Sequence, residues 1–217
     1  MGDIMKVMNG VIEPVRKAAR HVIGLFARWL DKVTGGKLHP DTVTITGLLM
    51  HIPIALLIVA DYWIAAGLLL AVFGLFDTLD GELARLQKRV TDNGGFLDAS
   101  TDRMKEVILY TSVAFWFALS PNPAYAAWAV AACGASICVS YVKAKGEAVI
   151  ASSGKKLPYP VLNKLFADGL LPFEVRMVLL IAGLISGYLV WAVAVIAILS
   201  TYTALQRMTL ISRALRA

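Results

Sequence analysis

The chain has 217 residues, of which 58% are hydrophobic, and its formal net charge is +6 at pH 7. So high an apolar content excludes a disordered chain and an ordinary soluble domain, and it predicts a membrane protein. The length suits about six spans of roughly 20 residues each with short connections. We therefore expect a single, all-α, integral membrane domain over residues 1–217.

Residues 10–35 predict a basic amphipathic helix at the N-terminal side of the membrane domain. Its apolar residues recur at helical spacing, and its basic residues lie largely off that stripe. The apolar positions are Val15, Ala19, Val22, Ile23, Phe26 and Leu30. A helix of this kind lies in the membrane interface, and Gly35-Gly36 predicts its end.

Six apolar segments follow and predict a six-helix membrane domain over residues 42–211. They lie near 42–60, 63–86, 97–119, 124–148, 171–187 and 189–211. Polar, glycine or proline residues separate them, as at Asp61 and Pro121–Pro123. A short glycine-containing turn at Asp92–Gly95 is predicted to bring the second and third segments back antiparallel.

The distribution of basic residues predicts the orientation. All 21 Lys and Arg residues lie before the first segment, around the turn after the second, around the loop after the fourth, or towards the end of the last. Because Lys and Arg favour the cytoplasmic side, both termini and both basic loops are predicted to be cytoplasmic. Topology and anionic lipid therefore explain the positive charge better than nucleic acid does.

Four aspartates lie among these apolar residues, at Asp77, Asp80, Asp98 and Asp102. Spacings of three and four place each pair on one helix face, so the four carboxylates are predicted to meet at the cytoplasmic end of a helix pair. A charge in lipid costs roughly 3 kcal/mol, and such a cluster persists only if cations neutralise it. Oxygen ligands without His or Cys favour Mg²⁺, Mn²⁺ or Ca²⁺ over zinc. Two ions about 4 Å apart would suit in-line attack on phosphorus.

The residues between the aspartates fit a phosphate-bearing substrate. Gly81 leaves room for a ligand beside the helix backbone, and Ala84 keeps the same face small. Arg85, one turn beyond Gly81, can bind a phosphate through its forked donors. The pattern therefore predicts a membrane-embedded, metal-dependent active site that opens to the cytoplasm.

The motif resembles the signature of the CDP-alcohol phosphotransferase family at all eight fixed positions. It reads Asp77-x2-Asp80-Gly81-x2-Ala84-Arg85-x8-Gly94-x3-Asp98-x3-Asp102. The resemblance extends to the interfacial helix and the six spans. It implies a lipid-synthesis enzyme in which an alcohol hydroxyl attacks the β-phosphate of a CDP-linked lipid, such as CDP-diacylglycerol, and displaces CMP.

The resemblance also implies roles for these residues. Asp77, Asp80, Asp98 and Asp102 would hold divalent metal, Mg²⁺ or Mn²⁺ and most simply two ions, with Asp102 also the general base. Gly81, Ala84 and Arg85 would contact the CDP moiety. Thr44, in a segment Pro40-Asp41-x2-Thr44-x2-Gly47 that is similar to a family segment, would lie near the nucleotide.

Three further segments resemble those of phosphatidylinositol-phosphate synthases within the family. They are Ser140-Tyr141-Val142-Lys143-Ala144, the pair Gln206-Arg207, and Arg176 in a segment whose first expected arginine is Phe173. The resemblance implies that Ser140, Lys143, Arg176 and Arg207 bind the phosphate of a small acceptor such as inositol phosphate. Glycerol 3-phosphate, the acceptor of phosphatidylglycerophosphate synthases, would suit the same basic pocket.

Three other interpretations of these features are open. The aspartates could form a salt-bridge network with Arg85, Arg103 and Lys105, or line the pathway of a cation transporter. A structural lipid-binding protein would not need Asp98 or Asp102. The pair Gly183-x3-Gly187 predicts close helix packing, either within the chain or in a homodimer.

Overall fold

The computed structural model describes residues 21–154 and 171–216, apart from the side chain of Asp77. Throughout these residues the regular structure is helical, without strands. The first helix, α1, is described over residues 21–34 and ends at Gly35 and Gly36, where the sequence predicted its end. Both glycines have positive φ (59° and 71°), which a residue without Cβ adopts without strain. The predicted helical residues 10–20 lie outside the described part.

Within the described residues, seven further helices follow α1. They are α2 (Pro40–Val59), α3 (Trp63–Phe73), α4 (Phe76–Leu86), α5 (Asp92–Leu119), α6 (Ala126–Ser152), α7 (Phe173–Ser186) and α8 (Leu189–Arg216), with a 3₁₀ turn at Pro123–Tyr125 before α6. Each of the six predicted apolar segments is therefore helical, although the second segment forms two helices instead of one.

Four described stretches are long and apolar enough to cross a membrane, which marks the chain as an integral membrane protein. They are Pro40–Val59, Trp63–Leu86, Pro123–Ser152 and Leu189–Arg216. α5 is long enough, but its N-terminal half contains the charges of the aspartate motif. α7 has only 14 residues. The count of six spans therefore stays a prediction.

The turn predicted at Asp92–Gly95 is wrong. The connection between α4 and α5 is residues 87–91, and α5 begins at Asp92. Thr91 explains the difference, because its Oγ1 accepts a hydrogen bond from the Gly94 amide at 3.0 Å and so caps the new helix. Asp92 in the first turn adds a favourable charge at the helix N-terminus. Both glycines therefore lie inside the first turn of α5.

The second predicted segment is interrupted just before the aspartate motif. α3 ends at Phe73 and α4 begins at Phe76. A Cβ placed on Gly74 would lie 3.0 Å from the Leu70 carbonyl oxygen, closer than side chains normally approach. The glycine thus allows the bend that separates an apolar helix from the polar helix that contains Asp80.

The described chain forms two compact units by its internal contacts. The first comprises residues 21–55 and 68–108, and so contains α1, α4 and the beginning of α5. Its apolar core joins α1 to α2 and α4, and consists of Ile23, Ala27, Val43, Leu79 and Leu83. Gln87, just after α4, also links these helices through hydrogen bonds. Its Nε2 donates to Asp31 Oδ1 in α1 at 2.7 Å and to the Leu38 carbonyl before α2 at 3.0 Å.

The second unit comprises residues 56–67, 109–154 and 171–216. Within it α6 packs along α8, with Ile150 and Ile211 in the core of the contact. A Cβ placed on Gly183 would lie only 2.5 Å from Ala192 Cβ, so α7 approaches α8 as closely as a glycine permits. Gly187 ends α7 at φ 79°. Within the chain, Gly183 therefore allows the close packing of α7 on α8, and Gly187 forms the turn between them. This glycine pair gives no support to a homodimer, which stays a prediction.

Candidate active site

Asp80 is held in the interior of the first unit by a hydroxyl from another helix. Its side chain lies on α4 and only 5% of the residue is exposed. Thr44, which is also buried near the start of α2, donates a hydrogen bond from Oγ1 to Asp80 Oδ2 at 2.5 Å. A buried carboxylate needs such a donor or a cation, and one hydroxyl leaves most of its lone pairs available. This contact joins the Pro40–Gly47 segment to the aspartate motif.

Asp98 and Asp102 lie one turn apart on α5. Asp98 Oδ1 is buried, and no hydrogen-bond donor within the described residues reaches it. Asp98 is close enough to Asp80 and to Asp102 for the carboxylates to repel one another. A buried oxygen without a donor, beside other carboxylates, is the kind of atom that a bound cation satisfies.

Asp77 is placed in α4 one turn before Asp80, but its side chain lies outside the described part of the structure. Among the side chains that are described, no three acidic, His or Cys groups converge closely enough to hold one ion. The unpartnered Asp98 oxygen beside Asp80 nevertheless fits a divalent cation, and all-oxygen donors suit Mg²⁺ or Mn²⁺. The full ligand set of four aspartates stays a prediction.

Gly81 and Arg85 form one face of α4. A Cβ placed on Gly81 would lie 3.6 Å from Arg85 Nη1 and Nη2, so the guanidinium lies over the glycine. Arg85 Nη2 donates to Glu82 Oε1 at 2.7 Å, and 58% of the arginine side chain is exposed. Ala84 is half-buried beside it. This face can accept a phosphate-bearing ligand if the anion replaces Glu82 on the guanidinium.

From the sequence, Lys105 was expected to interact with the aspartates only in the alternative interpretation, a salt-bridge network. The structure buries this residue completely, with Nζ 3.2 Å from Asp102 Oδ1. On the other side of Asp102, Arg103 Nη2 lies 3.6 Å from Oδ2. Lys105 follows Asp98 by seven residues and Asp102 by three, and this spacing shares one helix face. The spacing could therefore have indicated that Lys105 faces the carboxylates.

Two of the four residues predicted to bind an acceptor phosphate are buried together in the second unit. Arg176 is 1% exposed, and its Nη1 donates to the Leu171 carbonyl at 2.9 Å. Arg207 is 6% exposed, and its Nη1 donates to the Val139 carbonyl at 3.4 Å. Arg207 Nε is buried and has no hydrogen-bond partner among the described residues. The two guanidinium groups are close enough to repel each other.

The other two predicted residues are placed differently. Ser140 is half-buried, and its Oγ donates to the Ser136 carbonyl at 3.3 Å. The Lys143 side chain is 47% exposed, with Nζ 4.0 Å from Glu147. Phe173, at the position where a first arginine was expected, lies with its ring centroid 5.9 Å from the Arg176 guanidinium carbon. The aromatic ring of Phe173 therefore lies beside Arg176, at the position where another arginine was expected.

A family model described as CDP-alcohol phosphatidyltransferase matches residues 37–199. The chain belongs to this family. The matched range extends from just before α2 into α8 and includes all eight motif positions. Membership of the CDP-alcohol phosphatidyltransferase family confirms the prediction from the aspartate motif, and it favours a transferase over the cation-transport alternative.

Several curated members of the family are similar in sequence. The archaetidylinositol phosphate synthase of Methanothermobacter thermautotrophicus is 29% identical over 218 residues, which cover 96% of each chain. The phosphatidylinositol phosphate synthase of Corynebacterium glutamicum is 32% identical over 136 residues. That match covers 61% of this chain and about three fifths (61%) of the length of the relative.

Solved structures of the family share the fold. A crystal structure of Mycobacterium tuberculosis phosphatidylinositol phosphate synthase with CDP-DAG bound matches at a TM-score of 0.73 and 25% identity, covering 88% of this chain and 94% of that one. A second structure of the same enzyme, in complex with manganese and citrate, matches at a TM-score of 0.70. It is also 25% identical and covers 88% of each chain.

Proposed function

We propose that this chain is a phosphatidylinositol-phosphate synthase. It transfers the phosphatidyl group of CDP-diacylglycerol, or of a similar CDP-lipid, to inositol phosphate and releases CMP. The observation that carries the proposal is the likeness over 88% of the chain to a phosphatidylinositol phosphate synthase with CDP-DAG bound. Relatives named for an inositol phosphate product in bacteria and archaea add support. Glycerol 3-phosphate is the alternative acceptor.

The chemistry is assigned to the aspartate motif. Asp77, Asp80, Asp98 and Asp102 would hold two divalent ions, Mg²⁺ or Mn²⁺, which when bound offset the charge of the donor pyrophosphate. Asp102 takes the proton of the acceptor hydroxyl as that oxygen bonds to the β-phosphorus. The phosphorus–oxygen bond to CMP breaks, and its electron pair leaves with CMP.

The donor nucleotide is assigned to the open face of α4. Gly81 and Ala84 leave the helix backbone accessible there, and Arg85 presents its guanidinium over Gly81. Thr44 is assigned an indirect role, since its hydroxyl holds Asp80. We expect the pyrophosphate to replace Glu82 as the partner of Arg85, because a phosphate accepts two parallel donors.

The acceptor phosphate is assigned to Arg176 and Arg207. The buried Arg207 guanidinium is repelled by Arg176 and attracted by Glu147, and a bound phosphate would add a second negative charge beside the two guanidinium groups. The buried Arg207 Nε is available to such an anion. Lys143 and Ser140 would contribute from α6, with Lys143 exchanging its long contact to Glu147 for the phosphate. This arrangement supports a phosphorylated acceptor over a neutral alcohol such as free inositol.

The membrane arrangement is proposed from charge and length. We place six spans, with α5 and α7 as the third and fifth, an interfacial N-terminal helix, and both termini and the active site in the cytoplasm. A cysteine introduced at Lys88 should then react with an impermeant maleimide only from the cytoplasmic side. Labelling from the opposite side in sealed vesicles would contradict this orientation.

The first experiment is CMP release by the purified protein with CDP-diacylglycerol and Mg²⁺. Inositol phosphate, free inositol, glycerol 3-phosphate and serine are compared as acceptors. We expect release with inositol phosphate, at least about a hundredfold slower in Asp102→Asn because general-base catalysis contributes 10²–10⁴-fold. Asp92→Asn, an exposed acid on the same helix, is the matched control and should remain active. Release with glycerol 3-phosphate alone would assign the alternative synthase.

The role of Arg207 is tested by Arg207→Gln. We expect the KM for inositol phosphate to rise at least about tenfold, since a charge-assisted hydrogen bond is lost, while the KM for the CDP-lipid changes little. Arg213→Gln, an exposed arginine nearer the end of α8, is the control. Equal effects on both KM values would assign Arg207 to the packing of α8 against α6.

A further inference from the structure

We propose that Lys105 is a positioning residue that fixes the Asp102 carboxylate and places a positive charge inside the aspartate cluster. The inference rests on the proposed function, since it concerns the base of that reaction. Neither the eight motif positions nor the comparisons with relatives assign any role to this residue.

The first observation is the placement of the side chain. Lys105 is 0% exposed, on the face of α5 that also contains Asp98 and Asp102. Its Nζ lies 3.2 Å from Asp102 Oδ1, while Arg103 Nη2 lies 3.6 Å from Oδ2. Both oxygens of the proposed base therefore face a cation from its own helix, and this restricts the orientation of the carboxylate.

The second observation is the set of charges around Lys105. Its ammonium attracts Asp80 and Asp98 as well as Asp102. Its charge also acts on His51, which is 2% exposed and lies with Nδ1 2.7 Å from the Gly47 carbonyl oxygen. A carbonyl only accepts, so Nδ1 carries a proton. In the described part of the first unit, Lys105 is the only fully buried cation.

A purely structural ion pair would account for only part of this arrangement. Burying an ammonium costs several kcal/mol, and an isolated buried pair is often no more stable than apolar residues of similar size. Lys105 instead lies among several carboxylates, where its charge lowers their mutual repulsion before any metal is bound. The charge of Lys105 also makes the metal-bound aspartate cluster more positive, which favours binding of an anionic CDP-linked donor.

An electrostatic role of Lys105 predicts a different result from a role in packing alone. An ammonium inside the cluster opposes a divalent cation, so its removal should strengthen metal binding. The same removal frees Asp102 to rotate, so turnover should fall. Loss of an ordinary structural residue would weaken metal binding and turnover together.

The test measures Mn²⁺ binding to the full-length apo protein in detergent, without substrates, from the EPR signal of free Mn²⁺. Lys105→Met is compared with wild type, with Lys105→Arg and with Lys32→Met, which removes an exposed lysine of α1. We expect Lys105→Met to bind Mn²⁺ about tenfold more tightly, and the other two variants to match wild type.

CMP release is then measured on the same samples. We expect kcat to fall at least about tenfold in Lys105→Met and to recover in part in Lys105→Arg, which restores the charge. Unchanged Mn²⁺ affinity and turnover in Lys105→Met would overturn the proposal. Weaker Mn²⁺ binding together with a lower unfolding temperature would also overturn it, and would assign Lys105 to folding.

Three further outcomes are distinguished by these measurements. If Lys105→Met does not fold, Lys105→Gln keeps a polar group in the same space and replaces it in the same comparison with Lys105→Arg. If wild type binds Mn²⁺ but releases no CMP with any acceptor, the proposed function fails, and the binding measurement still decides the effect of the Lys105 charge. Wild type that binds no Mn²⁺ would overturn both.

Discussion

Thr44 shows how one hydroxyl connects two parts of the candidate site. Its proton is directed to Asp80 Oδ2 at 2.5 Å, while the Pro40 carbonyl lies farther away at 3.3 Å. A hydroxyl has a single proton, so the carboxylate is its main acceptor. The segment at the start of α2, outside the aspartate motif, therefore sets the position of one proposed metal ligand.

Thr44→Val tests this connection at constant side-chain shape. Asp80 would lose its hydroxyl donor in a buried site and keep only a backbone donor at Gly81, so we expect turnover to fall about tenfold and stability to fall by about 1–3 kcal/mol. CMP release and thermal unfolding in detergent are the measurements. Thr46→Val is the control, because the Thr46 hydroxyl bonds only to its own helix, at the Thr42 carbonyl. Equal losses in the two variants would contradict a special role for Thr44.

The sequence was enough to predict which aspartates share a helix face, but it was not enough to predict the residues that contact them. Fixed spacings of three and four along a helix place Asp98 and Asp102 on one face whatever surrounds them. The bond from Thr44 to Asp80 depends on how α2 packs on α4, 36 residues apart in sequence. The complete burial of Lys105 likewise depends on its neighbours, and many lysines at helix ends are exposed anchors in membrane proteins.

At the scale of helices, the contact of α7 with α8 sets a tight steric limit. The position of a Cβ on Gly183 would be 2.5 Å from Ala192 Cβ and 3.3 Å from the Leu189 Cα. One of those contacts is with the backbone, which cannot rotate away. The two helices meet directly after the Gly187 turn, so their approach is also fixed by a short connection.

Gly183→Ala should therefore destabilise the second unit. We expect a loss of about 1–3 kcal/mol, since an extra methyl group in a closely packed contact forces the helices apart. Thermal unfolding in detergent is the measurement. The control is Gly134→Ala on α6, where a Cβ would meet nothing within 4 Å, and alanine there should be neutral or stabilising. A change of oligomeric state without a loss of stability would favour the homodimer instead.

The helices themselves were largely predictable, because long apolar runs between polar breaks decide where helices lie. Two boundaries were not. The bend at Gly74 depends on the approach of one carbonyl, and the start of α5 depends on the Thr91 cap. Glycines at 94 and 95 predict a turn by composition, and a cap three residues earlier overrides that tendency.

For the whole molecule, the residues proposed for metal binding and those proposed for the acceptor phosphate belong to different units. The described carboxylates of the motif belong to the first unit, and the buried Arg176 and Arg207 belong to the second. The motif predicted the reaction type because the metal and nucleotide chemistry uses residues close in sequence. The acceptor was less predictable, because the residues proposed to bind it lie on three different helices and Phe173 departs from the related segment.

Divalent metal should stabilise the folded chain measurably. A ligand that binds only the native state adds about 2.7 kcal/mol at a hundredfold excess over its Kd, so Mg²⁺ should raise the unfolding temperature by several degrees. EDTA should reverse the shift and stop CMP release. Asp98→Asn should show little shift, and Asp92→Asn should behave as wild type. An equal shift in all three proteins would indicate that Mg²⁺ binds elsewhere.

The charged half of α5 also bears on how the protein reaches the membrane. Each acidic or basic residue at the centre of a helix opposes insertion by about 2.5–3.5 kcal/mol, and this helix contains Asp98, Asp102, Arg103, Lys105 and Glu106. As the third span of the proposed arrangement, α5 would be a poor substrate for insertion on its own and would need its neutralising neighbours in place. Biogenesis of the enzyme would thus depend on ion pairing among the residues proposed for catalysis, and a substitution that leaves one of these charges without its opposite should reduce the amount of inserted protein as well as its activity.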